Sequence, residues 1–327
     1  MLAAELTAIG PAHEVVKAVD VSAPGAPGPD EIVVTLSACS INPADLLLIE
    51  GKYATQPEVP SRLGIEGVGT VEAVGSEIDH LAPGDVVLSL GRTNWAHKVV
   101  LKGTQAVKLP ADIDVEQAAM LKVNGATAYR MLKDYVELAP GDWVIQDAAN
   151  SGVGINLIRL AAAAGIRTVN VVRRPELIEP LMDQGADMVV VDGPDLMRRV
   201  HDATGGAEIR LGIDAVAGSM VYRMADCLAP GGVIVNYGLL SGKPCEISAD
   251  HLVFKGLSLT GFWLAKVASG MAYDDIAAMY QALAERIQDG TLVVPVEARY
   301  PLEQIEAAMR HAGTYGRGGK VLLRPNG

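Results

Sequence analysis

Cysteine is scarce in this chain of 327 residues, which holds only Cys39, Cys227 and Cys245. They are odd in number, far apart and without a C-x-x-C pair. That excludes a disulfide framework and points to a reducing compartment. Positive charge is also short: 27 Lys and Arg stand against 39 Asp and Glu, for a formal net charge of −12. Such a balance argues against nucleic acid or an anionic membrane surface as the main partner. No apolar run approaches the roughly 20 residues of a membrane span. The opening Met1-Leu2-Ala3-Ala4-Glu5 lacks a basic segment and carries an early acid, unlike a signal peptide. The six histidines include no pair at metal-binding spacing, and no internal repeat or low-complexity tract occurs. A soluble, cytoplasmic protein is expected.

What the chain has in quantity is apolar residues, 50% of the total, enough for a sizeable core, and its length suits two domains or one large one. The first hundred or so residues are β-rich, with β-branched runs at Glu31 to Ser37 and Val68 to Val74 and turn signals at Pro24-Gly25, Pro27-Gly28 and Pro83-Gly84-Asp85. After Pro110 the texture changes. Val115 to Met131 reads as one helix, and from Val144 short strands (Met188 to Val191, Leu211 to Val216, Gly232 to Asn236, Leu257 to Leu264) alternate with helical stretches. That alternation predicts a parallel sheet covered on both faces. Tyr273 to Ile287 is helical, with Met279, Leu283 and Ile287 forming a buried stripe, and Trp95 and Trp143 read as core or interface anchors. The terminal Lys320-Val321-Leu322-Leu323 is a strand able to rejoin the N-terminal β region. The expected layout is a discontinuous β-rich substrate domain, 1–115 with 266–327, around a dinucleotide-binding domain, 116–265.

The segment from Trp143 to Arg174 is the most informative. An apolar run reaches the turn Asn150-Ser151-Gly152-Val153-Gly154, a helix-forming stretch follows, and a second β-branched run, Thr168 to Val172, ends in Arg173-Arg174. Strand, tight turn, helix and strand in that order place a dinucleotide diphosphate on a helix N-terminus, where free N–H groups and the helix dipole favour an anion. The G-x-G-x-x-G pattern is incomplete, with Ala149 and Ser151 at its first two glycine positions, so an ordinary βαβ crossover is the alternative. Where NAD binders carry an acid for the ribose hydroxyls, this chain has Arg173, followed by Arg174. A guanidinium fork suits a 2′-phosphate and cannot accept from a hydroxyl, which indicates NADPH. A solvated cap at the strand end is the other reading of the pair.

Together with Gly64-Ile65-Glu66-Gly67-Val68-Gly69 and Leu81-Ala82-Pro83-Gly84-Asp85, this arrangement resembles the medium-chain dehydrogenase/reductase superfamily over essentially the whole chain. The resemblance implies an α/β protein, a GroES-like β-rich catalytic domain plus a Rossmann domain with a doubly wound parallel sheet. The zinc alcohol dehydrogenases of that superfamily carry a cysteine ligand at the place of Asn42 and a histidine ligand at the place of Ile65. Neither residue supplies a thiolate or imidazole, and three scattered cysteines cannot build a four-cysteine lobe, so no zinc is expected. A metal-free reductase acting on an activated double bond or a quinone fits better.

Among the zinc-free branches the chain is most similar to the trans-2-enoyl thioester reductases, on Ile41-Asn42-Pro43-Ala44-Asp45, Gly51-Lys52-Tyr53, Val123 to Leu132, Asn150 to Gly154, Asn170-Val171-Val172-Arg173 and Gly261-Phe262-Trp263-Leu264. NADPH quinone oxidoreductases come next. The resemblance implies NADPH-dependent reduction of the C2–C3 double bond of an enoyl thioester. A quinone or enone reductase, and a non-catalytic nucleotide-sensing or nucleic-acid-binding protein, are the alternatives. Tyr53 falls at the family's proton donor. A phenol, with a reference pKa near 10, stays protonated at neutral pH and is acid enough for an enolate-like centre; the alternative is a loop aromatic that only packs. Asn42 is either a site residue or a turn residue before Pro43.

By resemblance, Asn124 lies near the nicotinamide, Asn150, Ser151, Gly152 and Val153 cradle the diphosphate, and Arg173 and Arg174 meet the 2′-phosphate. Tyr237, Gly238 and Leu239 follow a sheet strand, where ligands gather, and Phe262, Trp263 and Leu264 line the nicotinamide pocket. Lys320 is a contact from the tail or a solvated strand-end lysine. The chain departs from the family at Ala54, where glycine often follows the tyrosine, at Gly125, where proline is usual, and at Pro175, which replaces a further basic residue. The latter leaves fewer phosphate donors. No mitochondrial presequence is visible. The family also implies a homodimer paired through the strand at Leu257 to Leu264.

Overall fold

A computed structural model describes all 327 residues. The chain forms two compact units, Met1–Val123 with Ala272–Gly327, and Asn124–Met271. Both boundaries fall later than the composition suggests, for a local reason at the first. Helix Val115–Ala118, capped by the Asp114 carboxylate on the Glu116 and Gln117 N–H groups, belongs to the first unit. The Gln117 amide there exchanges hydrogen bonds with Val294, donating to its carbonyl at 3.1 Å and accepting from its N–H at 2.8 Å.

The first segment carries β1 (Leu2–Leu6), β2 (Val16–Asp20), β3 (Glu31–Ser40), β4 (Ser61–Arg62), β5 (Val68–Val74), β6 (Val86–Ser89), β7 (Lys98–Lys102) and β8 (Ala106–Lys108). After the second unit come β15 (Val296–Pro301) and β16 (Lys320–Arg324). β2-β1-β4 is a small antiparallel sheet, and β15-β16-β3-β5-β6-β8 is the large one, with β7 also on β3. The tail does rejoin the N-terminal region: β16 runs antiparallel to β3, with Leu322 opposite Ser40 and Leu323 opposite Cys39. Trp95, fully buried, packs in the core with Ile32, Leu36, Ile49, Val321 and Leu323.

The second unit holds β9 (Trp143–Gln146), β10 (Arg167–Val172), β11 (Met188–Val191), β12 (Ile209–Asp214), β13 (Val233–Asn236) and β14 (Ser258–Gly261). All five pairings are parallel, in the order β11-β10-β9-β12-β13-β14. Trp143 and Ile145 of β9 enter one apolar cluster and Val144 the other, because successive side chains of a strand point to opposite faces. The order runs outward in both directions from β9 and β12, so the crevice outside their carboxyl ends is the switch point at which such sheets bind ligands.

The single helix expected over Val115 to Met131 is instead three pieces: Val115–Ala118, a π-helical turn Leu121–Gly125, and Ala126–Asp134. A π turn widens the backbone by one residue and occurs frequently at functional sites. No helix is long and apolar enough to cross a membrane.

Candidate active site

The second unit gathers one set of expected residues on the carboxyl edge of its sheet. β9 ends at Gln146 and the chain turns through Ala148, whose φ of 45° is left-handed, into helix Gly152–Ala163. Ser151 caps that helix, its hydroxyl accepting from the Gly154 N–H at 3.0 Å. The residue that breaks the glycine pattern therefore satisfies one of the first-turn donors itself. The first internal bond runs from the Ile155 N–H to the Ser151 carbonyl, so the Gly152 and Val153 N–H groups precede the helical ladder. Gly154 cannot be replaced without movement: a Cβ there would lie 2.5 Å from the Ala149 carbonyl oxygen. Such a Cβ would press on the Ala149 backbone that begins the turn, and the Gly152 and Val153 N–H groups at its far end suit a diphosphate. Behind the turn, the Gln146 amide donates to the Gly154 carbonyl at 3.0 Å and to Asn170 at 2.7 Å, locking β9, β10 and the helix together.

Arg173 and Arg174 follow β10 directly. Arg173 is exposed, and Arg174 is half-buried with an ion pair to Glu176 at 3.5 Å. Tyr237-Gly238-Leu239 follows β13. The Tyr237 phenol is pushed up by burial and by the neighbouring Asp147, with the Ser151 hydroxyl acting in the opposite sense. Gly238 is needed for close approach, since a Cβ would sit 2.6 Å from the Ala215 carbonyl oxygen. The last strand ends at Gly261, short of the expected Leu264. Phe262 continues the edge with its N–H on the Asn236 carbonyl and its ring edge-on to Tyr135, Trp263 caps the next helix, and Leu264 opens it. Asn124 is buried within the π turn.

The first unit holds Tyr53, Asn42 and Lys320. Asn42 is the N-cap of helix Pro43–Ile49, with Pro43 in the first turn and the Asp45 carboxylate reaching back to the Asn42 N–H at 2.9 Å. Its side chain is buried in a polar cluster. The amide nitrogen donates to Ser40 Oγ at 3.0 Å and Glu66 Oε2 at 2.6 Å, and its oxygen accepts from Lys320 Nζ at 2.6 Å. Glu66 also receives the Ser40 hydroxyl and the Val123 N–H. Lys320 is thus not a solvated strand-end lysine; its ammonium, buried beside Asn42, also donates to the Ile41 carbonyl at 3.1 Å. Lys122 donates to the carbonyls of Ile65, Leu90 and Gly91 at 2.6 to 2.9 Å, and Tyr280 donates to the Lys122 carbonyl at 2.9 Å. These bonds pin the π turn from below.

Two carboxyls and two ammonium groups meet in this cluster, each hydrogen-bonded as a buried polar group must be. Burial pushes Asp45 up to about 7, against the N–H groups of Asn42 and Ile65, and pushes Lys122 and Lys320 down to about 8, against the nearby carboxylates. Tyr53, half-buried, lies on the bend after Gly51, whose φ of 69° turns the chain out of the helix. The Lys52 N–H on the Leu47 carbonyl at 2.8 Å and the Gln56 amide on the Gly51 carbonyl at 2.9 Å hold that bend.

Sequence reasoning passed over Glu66, Asp45 and Lys122, and also Asp147 and Asp214 at the ends of β9 and β12. The available signal was an acid inside a run otherwise fit for burial, as in Gln146-Asp147-Ala148 and Gly212-Ile213-Asp214.

Zinc does not fit this cluster. The Asn42 amide is committed to Ser40, Glu66 and Lys320, and Ile65 offers no side-chain donor atom. No group of three or more His, Cys, Asp or Glu side chains is placed to hold a metal ion.

Residues 28–111 match the family described as alcohol dehydrogenase GroES-like domain, and residues 152–285 the family described as zinc-binding dehydrogenase. The chain is 37% identical over 286 residues to the mitochondrial enoyl-acyl-carrier-protein reductase of Rattus norvegicus, covering 85% of this chain and 77% of the relative. Its fold matches the quinone oxidoreductase of Escherichia coli complexed with NADPH, with TM-score 0.89 and 29% identity over 99% of this chain and 100% of the other. It also matches a mutant form of enoyl thioester reductase from Candida tropicalis, with TM-score 0.86 and 23% identity over 99% of both chains, a likeness of fold alone. The chain therefore belongs to the medium-chain dehydrogenase/reductase superfamily and is an oxidoreductase of that family.

Proposed function

We propose that this protein reduces the C2–C3 double bond of a trans-2-enoyl thioester with NADPH and without zinc. The observation that carries the reading is the 37% identity, across 85% of the chain, to a relative named as an enoyl-acyl-carrier-protein reductase. The donor set at Asn42 and Ile65, which suits no zinc, supports the metal-free form of the chemistry. When bound, NADPH supplies a hydride to the β-carbon.

The chain's own residues do the rest. Asn150 to Val153 hold the diphosphate at the helix N-terminus, and Arg173 and Arg174 take the 2′-phosphate through N–H donors that a ribose hydroxyl cannot use as fully. Tyr237 to Leu239, Phe262 to Leu264 and Asn124 orient the nicotinamide end. As charge collects on the thioester carbonyl, Tyr53 donates the proton that the α-carbon takes up. Asn42 and Lys320 act from within the buried cluster, where each keeps the other in place and Glu66 fixes both the amide and the Val123 N–H. Asn42 is in this reading a positioning residue, since its amide is occupied on both ends.

The same reading takes the protein as a cytoplasmic homodimer. β14 is the terminal strand of its sheet, and the preceding Val253 and Phe254 are exposed, Phe254 to 82%. Light scattering at micromolar concentration reads the oligomer directly.

A second reading, an NADPH quinone or enone reductase, is favoured by the Escherichia coli structure. Steady-state NADPH oxidation separates the two. Turnover with crotonyl-CoA and longer enoyl thioesters supports the first. Turnover with 1,4-benzoquinone and none with enoyl thioesters of several lengths rejects it, and NADH run in parallel tests the cofactor preference.

A further inference from the structure

Two carboxyl groups meet at the switch point of the nucleotide-binding sheet. Asp147 directly follows β9 and Asp214 closes β12, its neighbour, and the Asp147 N–H bonds the Ile213 carbonyl at 3.1 Å. Both side chains are buried, Asp214 completely. Asp147 Oδ1 accepts from the Ala215 N–H at 2.7 Å, while its Oδ2 is buried without any N–H or hydroxyl donor. The Asp214 carboxyl lies within hydrogen-bonding contact of Asp147. Asp214 itself is well supplied. Its Oδ1 accepts from the N–H groups of Val216 at 3.2 Å and Ala217 at 2.9 Å, and its Oδ2 from the Asn236 amide.

No cation is bonded to either group. The neighbouring titratable groups are the Tyr237 phenol and the Cys245 thiol, both pushed up by burial and by these carboxyls; Lys243 beyond Gly218 is exposed. Two carboxylates in contact and out of water cannot both be ionised, so one keeps its proton. The donor count says which. Asp214, with three donors, carries the charge, and Asp147, with an orphaned oxygen, carries the proton and donates it to Asp214. Asp147 is correspondingly raised well above the ordinary carboxylate range, first by burial and then by Asp214.

The pair also sits under both strained turns of the chain. Ala148, with φ 45°, follows Asp147, and Ala217, with φ 63°, donates its N–H to Asp214; these are the two non-glycine residues with positive φ. A left-handed alanine costs on the order of 1 kcal/mol and persists only where its surroundings hold it. The first of these turns leads into Asn150 to Val153.

We propose that Asp147 and Asp214 share one proton and together act as positioning residues, holding the turns Ala148–Gly152 and Ala215–Gly218 in the form that accepts the dinucleotide diphosphate. This rests on the cofactor reading above for its ligand, but not for its proton.

The isosteric change Asp147→Asn decides it. An amide there still accepts from the Ala215 N–H and donates to Asp214, and the pair keeps its single negative charge. NADPH affinity, measured by fluorescence titration at pH 7, should stay within about threefold of the wild type. Asp147→Ala, which strands Asp214 and the Ala215 N–H, should weaken it by about tenfold or more, the order expected for one lost hydrogen bond to a charged group. Asp214→Asn should not rescue, because its amide nitrogen would face donors. The infrared difference spectrum of cofactor-free wild type minus Asp147→Asn should show a protonated-carboxyl band at pH 7, the contribution of Asp45 being common to both and cancelling. Equal affinities of the Asn and Ala variants, or no such band, overturns the proposal. Absence of NADPH binding by the wild type overturns the cofactor reading and the positioning role together, and the infrared band still reports the proton.

Discussion

Gly154→Ala sets two physical effects against each other with opposite signs. Gly154 lies in the first turn of helix Gly152–Ala163, and replacing a helical glycine by alanine ordinarily stabilises by up to about 1 kcal/mol. Here the added Cβ would lie 2.5 Å from the Ala149 carbonyl oxygen and 2.7 Å from the Ala149 Cα and carbonyl carbon. All three are backbone atoms of a fully buried residue, so no rotamer change relieves the contact. Ordinary contact begins near 3.4 Å, leaving the helix about 0.9 Å too close. Overpacking of this kind costs about 1–3 kcal/mol, so the variant should lose about 1–2 kcal/mol net. At about 2–4 °C per kcal/mol for a unit of this size, that is a fall of several degrees in Tm. On the proposed cofactor reading, the same shift moves the Gly152 and Val153 N–H groups off the diphosphate, and one lost bond to a charged oxygen should weaken NADPH by about tenfold or more. Differential scanning calorimetry and fluorescence titration measure the two effects on one sample. An alanine variant that melts higher and binds NADPH as tightly as the parent would refute the reasoning, since propensity would then outweigh a contact that the backbone absorbs.

Three further outcomes follow from the sites. Tyr53→Phe should lower kcat with an enoyl thioester by roughly 100-fold, the usual scale for a general acid, with NADPH affinity unchanged; full turnover in stopped-flow assays removes the tyrosine from the chemistry. Replacing Arg173 and Arg174 by Ala should raise the KM for NADPH and leave that for NADH nearly as it was, and an equal effect on both cofactors would remove the phosphate argument. Asp45, pushed up to about 7 by burial, contributes stability that is complete below its ordinary value of 3.8 and is lost as pH rises through about 7. Relative to Asp45→Asn, the wild type should therefore lose roughly 2 kcal/mol between pH 5 and 7, at about 1.4 kcal/mol per pH unit for one proton. A difference that stays flat in denaturant titrations across that range would show that the carboxyl is not held neutral.

Much of the fold is legible without coordinates because it is written in local periodicities. The β-branched runs at Val68 to Val74 and Met188 to Val191 became strands with those bounds, and the buried stripe Met279, Leu283 and Ile287 lies on one face of helix Tyr273–Gln288. The segment around Asn150 to Gly154 was readable as strand, turn and helix from residue types alone, though the Ser151 cap was not. The break at Leu121–Gly125 was not, because Val115 to Met131 is uniformly helix-forming. What opens it is a set of bonds from Lys122, Val123 and Tyr280 to residues far away in the chain. The sequence leaves Lys320 between a contact from the tail and a solvated lysine for the same reason: its burial shows only once β16 is laid against β3.

The sequence by itself determined the fold class, the strand–turn–helix unit and the arginine pair after it. Each depends on neighbours within a few residues. Only the tertiary structure decided that Asn42, Glu66, Asp45 and Lys320 form one buried hydrogen-bonded cluster, and that Asp147 and Asp214 meet at the sheet's switch point. Those encounters join positions as far apart as Asn42 and Lys320, 278 residues from one another in the chain. They exist because strand order and burial, not spacing along the chain, set which charges lose their water and must find one another.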